Sequence, residues 1–183
     1  MFLYPPLTIT WANGFLLILP MLALRFGLPA LIRRESLAEL DYFPPVQGGE
    51  QLALKVYFVT NTFLVFSPLL AKIDPLPGFK VGSWIIYLSG MLILALGLIG
   101  YSRQKGLKTT GIYKYSRNPI CVGYLVVFLG TALLISSWFH LLLTIIYQAA
   151  VHGLILSEER WCLDEFGETY RNYCSTTARY FIF

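Results

Sequence analysis

Asn118–Ser157, NPICVGYLVVFLGTALLISSWFHLLLTIIYQAAVHGLILS, runs for 40 residues without a charged side chain, and its length decides the architecture. At 1.5 Å per residue, one helix of that length measures about 60 Å, roughly twice the hydrocarbon core of a bilayer. The stretch must therefore fold back on itself. Ser136-Ser137 followed by Trp138 marks the reversal, with the indole at an interface. Two spans result, 119–136 and 138–157.

Working outward, Val81–Gly100 is a third apolar stretch with no charge, and Leu52–Ala71 a fourth with only Lys55 near its start. Ile9–Ile32 is a fifth, containing only Arg25. The sequence thus predicts an all-α, polytopic membrane helix bundle of about five transmembrane helices (9–32, 52–71, 81–100, 119–136, 138–157). A cytoplasmic helical segment follows at the C-terminal side. Composition agrees: 56% of the 183 residues are hydrophobic and 13% charged, against about a quarter charged in soluble domains. One domain is expected. Met1–Thr10 lacks the basic start of a cleavable signal peptide. Cys121, Cys162 and Cys174 are odd in number and lack metal-ligand spacing, so free thiols and no metal are expected.

Lys and Arg set the direction. Arg33 and Arg34, then Arg103, Lys105, Lys108, Lys114 and Arg117, then Arg160, Arg171 and Arg179 fall on one side of a five-span chain; Lys72 and Lys80 fall on the other. The positive-inside rule places the N-terminus outside and the C-terminus in the cytoplasm. Arg25 and Lys55 lie toward the cytoplasmic ends of their spans, within reach of the surface by snorkelling. The 41–49 loop reads as an ordered turn or an interfacial segment. His140 is expected at the external interface.

Two polar segments frame the last hairpin. In Thr109–Pro119, Asn118 is a good N-cap and Pro119 suits the first helical position. A helix start offers free N–H groups to a carboxylate or phosphate, and Arg117 adds a cation. Gly123 admits a ligand or a neighbouring helix. The second segment holds His152, Glu158, Glu159 and Arg160, and its helix is expected to run on through Phe166 and stop at Gly167. The alternative for both segments is structural: a capped helix with basic flanks, and a solvated acidic face paired with Arg160 and the basic loop. His152 reads first as a packing residue, Asn61 as an interhelical hydrogen-bonder or part of a substrate path, and Cys121 as a small filler or an activated thiol.

Together, Gly111-Ile112-Tyr113-Lys114-Tyr115-Ser116-Arg117-Asn118-Pro119 with Gly123, and His152…Glu158-Glu159…Leu163…Phe166-Gly167…Tyr170…Tyr173, resemble the paired motifs of the isoprenylcysteine carboxyl methyltransferase and phospholipid methyltransferase superfamily. The resemblance covers 101–183. It implies an integral membrane S-adenosylmethionine-dependent methyltransferase with its cofactor-binding region there. By this resemblance Glu158, Glu159 and Arg117 are the catalytic candidates. The cofactor candidates are Tyr113, Arg117, Asn118, Pro119, Gly123, His152, Glu158, Glu159, Tyr170 and Tyr173. The acceptor it implies is lipophilic: a prenylcysteine-like carboxylate, a phospholipid amine or another small hydrophobic molecule. Membrane lipids are the expected surroundings, with no nucleic-acid partner. The implied location is the inner membrane of a bacterium or archaeon, or the endoplasmic reticulum of a eukaryote. The chain departs from the pattern at Asn118 (often His), Cys121 (usually Tyr), and Thr176 and Ala178 (Arg and Pro). Two other classes compete: an NADPH-dependent sterol or enone reductase of similar layout, and a non-catalytic membrane scaffold.

Overall fold

In the computed structural model the described residues are 13–43 and 45–181, together with Leu3. Residues 9–12 of the expected first span, and Pro44 of the 41–49 loop, lie outside them. Among the described residues the regular structure is helical: α1 (Phe15–Ile32), α2 (Ser36–Leu40), α3 (Glu50–Phe66), α4 (Lys80–Arg103), α5 (Pro119–Leu134), α6 (Trp138–Phe166) and α7 (Glu168–Thr176), with a 3₁₀ turn at Gly111–Lys114. This is a membrane helix bundle. By length and apolar character α1, α4 and α6 each suffice to cross a bilayer, while α5, at 16 residues, is a shorter apolar helix. α3 has 17 residues.

Each expected span corresponds to one helix, with shifted ends. The second stops at Phe66 instead of Ala71, because Pro68 has no N–H to continue the ladder; 67–71 turn back instead, Ala71 N–H donating to the Pro68 carbonyl at 2.9 Å. The third extends through Arg103, and the fourth stops at Leu134. The reversal falls where expected. Ser136 takes a positive φ of 51° and its hydroxyl donates to the Asp74 carbonyl at 2.7 Å, while Ser137 caps α6 by accepting from His140 N–H at 3.2 Å. α6 continues to Phe166 and ends at Gly167, as expected, but with φ 52° and ψ −126°, outside the αL region foreseen. His140 is corrected: it is 1% exposed, not interfacial, with Nδ1 3.4 Å from Ser67 Oγ and its ring edge-on to Phe128. One turn into α6 it points toward α5, not outward.

Glycines make the closest helix pair. A Cβ on Gly90 of α4 would stand 2.5 Å from the Val127 amide nitrogen, and one on Gly123 of α5 2.7 Å from the Leu94 backbone. Gly97 and Gly130 repeat the pattern seven residues on, against Ile120 (2.9 Å) and the Tyr87 backbone (2.6 Å). Small residues at this period let antiparallel backbones touch, the usual device for helix association in lipid. α1 packs on α4, with Tyr87 Oη donating to the Leu17 carbonyl at 2.6 Å, and α3 packs on α6. α1 and α3 are not packed on each other in this way.

One end of the bundle gathers the basic segments. The Arg33 guanidinium pairs with Glu39 and donates to the carbonyls of Ser102 and Gln104, each at 3.1 Å. This ties α1 and α2 to the end of α4. Arg160 grips Glu50 with two bonds of 2.8 Å, tying α6 to α3. At the other end Asp74 N–H meets the Leu134 carbonyl and Gly14 N–H the Ala71 carbonyl, at 2.9 and 2.8 Å.

Candidate functional site

The segment before α5 is fixed by the chain around α7. Gly111, at φ 64°, opens the 3₁₀ turn that buries Tyr113, whose carbonyl accepts from Tyr173 Oη at 2.6 Å. Arg117 Nη1 donates to the carbonyls of Cys174 (3.2 Å) and Thr177 (2.8 Å), and its amide to that of Ala178 (2.9 Å). Asn118 occupies the N-cap position with Pro119 at the first helical position, but its side chain does not cap. Its Nδ2 donates instead to the Arg179 carbonyl at 3.4 Å.

The adjacent glutamates have opposite surroundings. Glu159 is saturated: Oε1 accepts from Arg117 Nη2 (2.8 Å) and Arg179 Nε (3.0 Å), and Oε2 from Arg179 Nη2 (2.6 Å). Those charge-assisted bonds outweigh burial and hold its carboxyl below the usual range. Arg179 thus stands beside Arg117, close to the place where Thr176 and Ala178 break the family pattern. Glu158 has no hydrogen-bonding or ion-pair partner among the described residues, and its carboxylate opens onto a cavity. It lies just past the apolar 138–157 stretch. The residue is exposed to that cavity, yet enclosure by the surrounding protein, reinforced by the Glu159 charge and opposed by Lys108, pushes its carboxyl above the usual range. The expected pairing with Arg160 does not form, since that guanidinium is committed to Glu50.

The cavity measures about 960 Å³. Its polar end holds Glu158, Arg117, Asn118 and the phenols of Tyr113, Tyr170 and Tyr173; its apolar part runs between α1 and α3 past Met21, Phe58 and Val65. The 38–43 segment covers one side. Lys108 lies at the polar end, donating to the Gly106 carbonyl (2.7 Å) and Glu39 (3.3 Å), its Nζ 4.5 Å over the Tyr101 ring.

Seven of the ten sequence candidates therefore meet at one cavity: Tyr113, Arg117, Asn118, Glu158, Glu159, Tyr170 and Tyr173. Pro119, Gly123 and His152 are not in its lining. Pro119 is buried at the start of α5, and Gly123 seats Leu94 of α4. His152 Nδ1 shares a hydrogen bond with Tyr180 Oη at 2.7 Å. Asn61 lines the cavity, and Cys121 lines it while packing against the core. Arg25, Lys108 and Tyr101 are lining residues that the motifs do not mark. For Arg25 a signal existed, since a charge within a span is a site candidate by default.

The donor set suits a cofactor with a carboxylate, an ammonium and a sulfonium. A free carboxylate faces the cavity, Lys108 supplies a cation, and Arg117 Nε is buried there without a partner among the described residues. Residues 79–169 match the family model described as phospholipid methyltransferase. The matched part holds Glu158 and Glu159 and stops short of Tyr170, Tyr173 and Arg179. Neither the curated proteins nor the solved structures gave a match.

Proposed function

From this chain's place in the membrane methyltransferase superfamily of the phospholipid and isoprenylcysteine carboxyl enzymes, we propose that it is an S-adenosylmethionine-dependent methyltransferase acting on a lipophilic acceptor. The observation carrying this is the unpaired Glu158 carboxylate at the polar end of a cavity that continues between two helices. S-adenosylmethionine bound there supplies a methyl group on a cationic sulfur. Glu158 then has two uses for one charge: it attracts the cationic parts of the cofactor, and it takes the proton of an amine acceptor. Glu159 has neither use. Its bonds to Arg117 and Arg179 hold the end of α6 against the 174–179 segment, so it positions Glu158 and closes the pocket floor. Tyr113, Tyr170 and Tyr173 present aromatic faces and keep the pocket dry, which favours alignment of two reactants. Lys108 is the candidate for the cofactor's carboxylate. In the membrane, the basic end faces the cytoplasm, and α3 and α5 complete five spans.

The test uses the purified chain in nonionic detergent. Titration with S-adenosylhomocysteine should raise its melting temperature, and NADP should not. With methyl-labelled cofactor and a lipid extract, label should enter the organic phase. Glu158→Gln should lower kcat/KM by about 100-fold. Absence of both cofactor binding and labelled product would overturn the reading.

A further inference from the structure

Arg25 lies in the apolar interior of α1, seven residues before its end, or about 10 Å along the axis. A guanidinium there is costly unless every donor is used. Its side chain is 13% exposed, and Asp41, its one ion-pair partner among the described residues, is 67% exposed in the covering loop. Nη2 bonds Asp41 at 2.5 Å, whereas Nη1 is buried with no partner among the described residues. Arg25 lines the cavity, as do Tyr57, Tyr124 and Asn61. It lies 5.4 Å from the ring centre of Phe26, a half-exposed residue that also lines the cavity. Arg25 and Glu158 line the same cavity, so cation and free carboxylate share one chamber.

We propose that Arg25 is the specificity-determining residue for the acceptor: Nη1 receives an oxyanion, phosphate or carboxylate, of an amphiphile whose chain lies between α1 and α3. Calling that amphiphile the acceptor rests on the methyltransferase reading; the binding site itself does not. Arginine suits the role because its planar fork keeps one edge on Asp41 while offering the other to the ligand. Apolar walls fit the chain: Met21, Leu22 and Phe26 from α1, Phe58 and Val65 from α3. Asp41 keeps the cation neutralised before the ligand arrives.

The test is a binding measurement on the full chain in nonionic detergent, with four probes: dodecyl phosphate, dodecanoate, dodecanol and inorganic phosphate. At least one of the two anionic amphiphiles should bind about tenfold or more tighter than dodecanol, the tighter one naming the head group. Inorganic phosphate should bind far more weakly than the preferred amphiphile. Arg25→Gln should bring the anionic and neutral amphiphiles within about twofold, and Arg25→Lys should keep part of the preference. Asp41→Asn frees the second edge and should keep or strengthen it. Equal binding of dodecanol by the unaltered protein, an unchanged preference in Arg25→Gln, or inorganic phosphate binding as tightly as the amphiphile would overturn the proposal. If Arg25→Gln does not give a monodisperse helical protein, a preference lost in Asp41→Asn overturns it equally. S-adenosylhomocysteine titrated into the same samples separates the two readings. Cofactor binding without oxyanion preference removes the role of Arg25 alone; oxyanion preference without cofactor binding removes the methyltransferase reading alone.

Discussion

The two sides of the bundle are built on opposite principles. Along α4 and α5, Gly90, Gly123 and Gly130 bring backbone against backbone and Gly97 seats the Ile120 side chain, with little room for even one added carbon. α1 and α3 hardly touch, and apolar residues of both, with others from α5 and α6, line the cavity. The difference teaches where precision is placed. The closed pair fixes the start of α5, and with it Arg117 and the polar end; the open pair leaves a slot whose walls tolerate a variable chain.

The harshest way to break this contrast is to thicken the closed pair. Gly123→Leu would drive a side chain into the Leu94 backbone, which cannot yield as a side chain does. We expect a loss of about 3 kcal/mol or more, the upper end of overpacking penalties, read as failure to purify or a collapsed melting temperature. Next, Glu159→Ala leaves Arg117 buried without its charge partner, while Arg179, a third exposed, finds water. We expect about 2–3 kcal/mol, somewhat below the cost of breaking a fully buried pair, by thermal unfolding. On the open side, Phe58→Ala removes two edge-on ring contacts, with Phe43 and Tyr57. It should cost only about 1 kcal/mol of stability. A larger loss from Phe58→Ala than from Gly123→Leu would reverse the comparison.

The smallest effect is acid sensitivity of the covering segment. The hydrogen bond from Arg33, assisted by Lys108, lowers the Glu39 carboxyl to about 2. Because the folded value lies below the unfolded one, this stabilisation is complete above pH 4.5 or so and is lost as pH falls toward 2. Glu39 is 37% exposed, so the contribution is under about 1 kcal/mol. The protection of residues 36–40, taken relative to the intrinsic exchange rate at each pH, should fall a few-fold below about pH 4.5, and Glu39→Gln should show the lower protection throughout.

Much of this was written in local patterns. Apolar length gave five helices, Lys and Arg gave the basic end, and Asn118-Pro119 and Gly167 gave helix limits, because each depends on neighbours along the chain. What pairs across the bundle was not written there. That Glu159 and not Glu158 meets Arg117 follows from the rotation of α6 against residues 174–179. Arg25 read as a snorkelling cation because the loop carrying Asp41 folds back over it only in three dimensions. Gly123 looked equally fit for a ligand or a helix, and the facing Leu94 settles that. His140 seemed placed by its distance from the span's end, whereas burial depends on which side of α6 faces α5.

The packing of α3 on α6 carries a consequence for biogenesis. The Glu50–Arg160 clasp joins residues 110 positions apart, so α3 emerges from the ribosome long before its main partner exists. α4 and α5, by contrast, are near neighbours in sequence and pair as soon as the second is made. Until α6 is made, α3 lacks its main packing partner, and the chamber itself is the last thing to come into being.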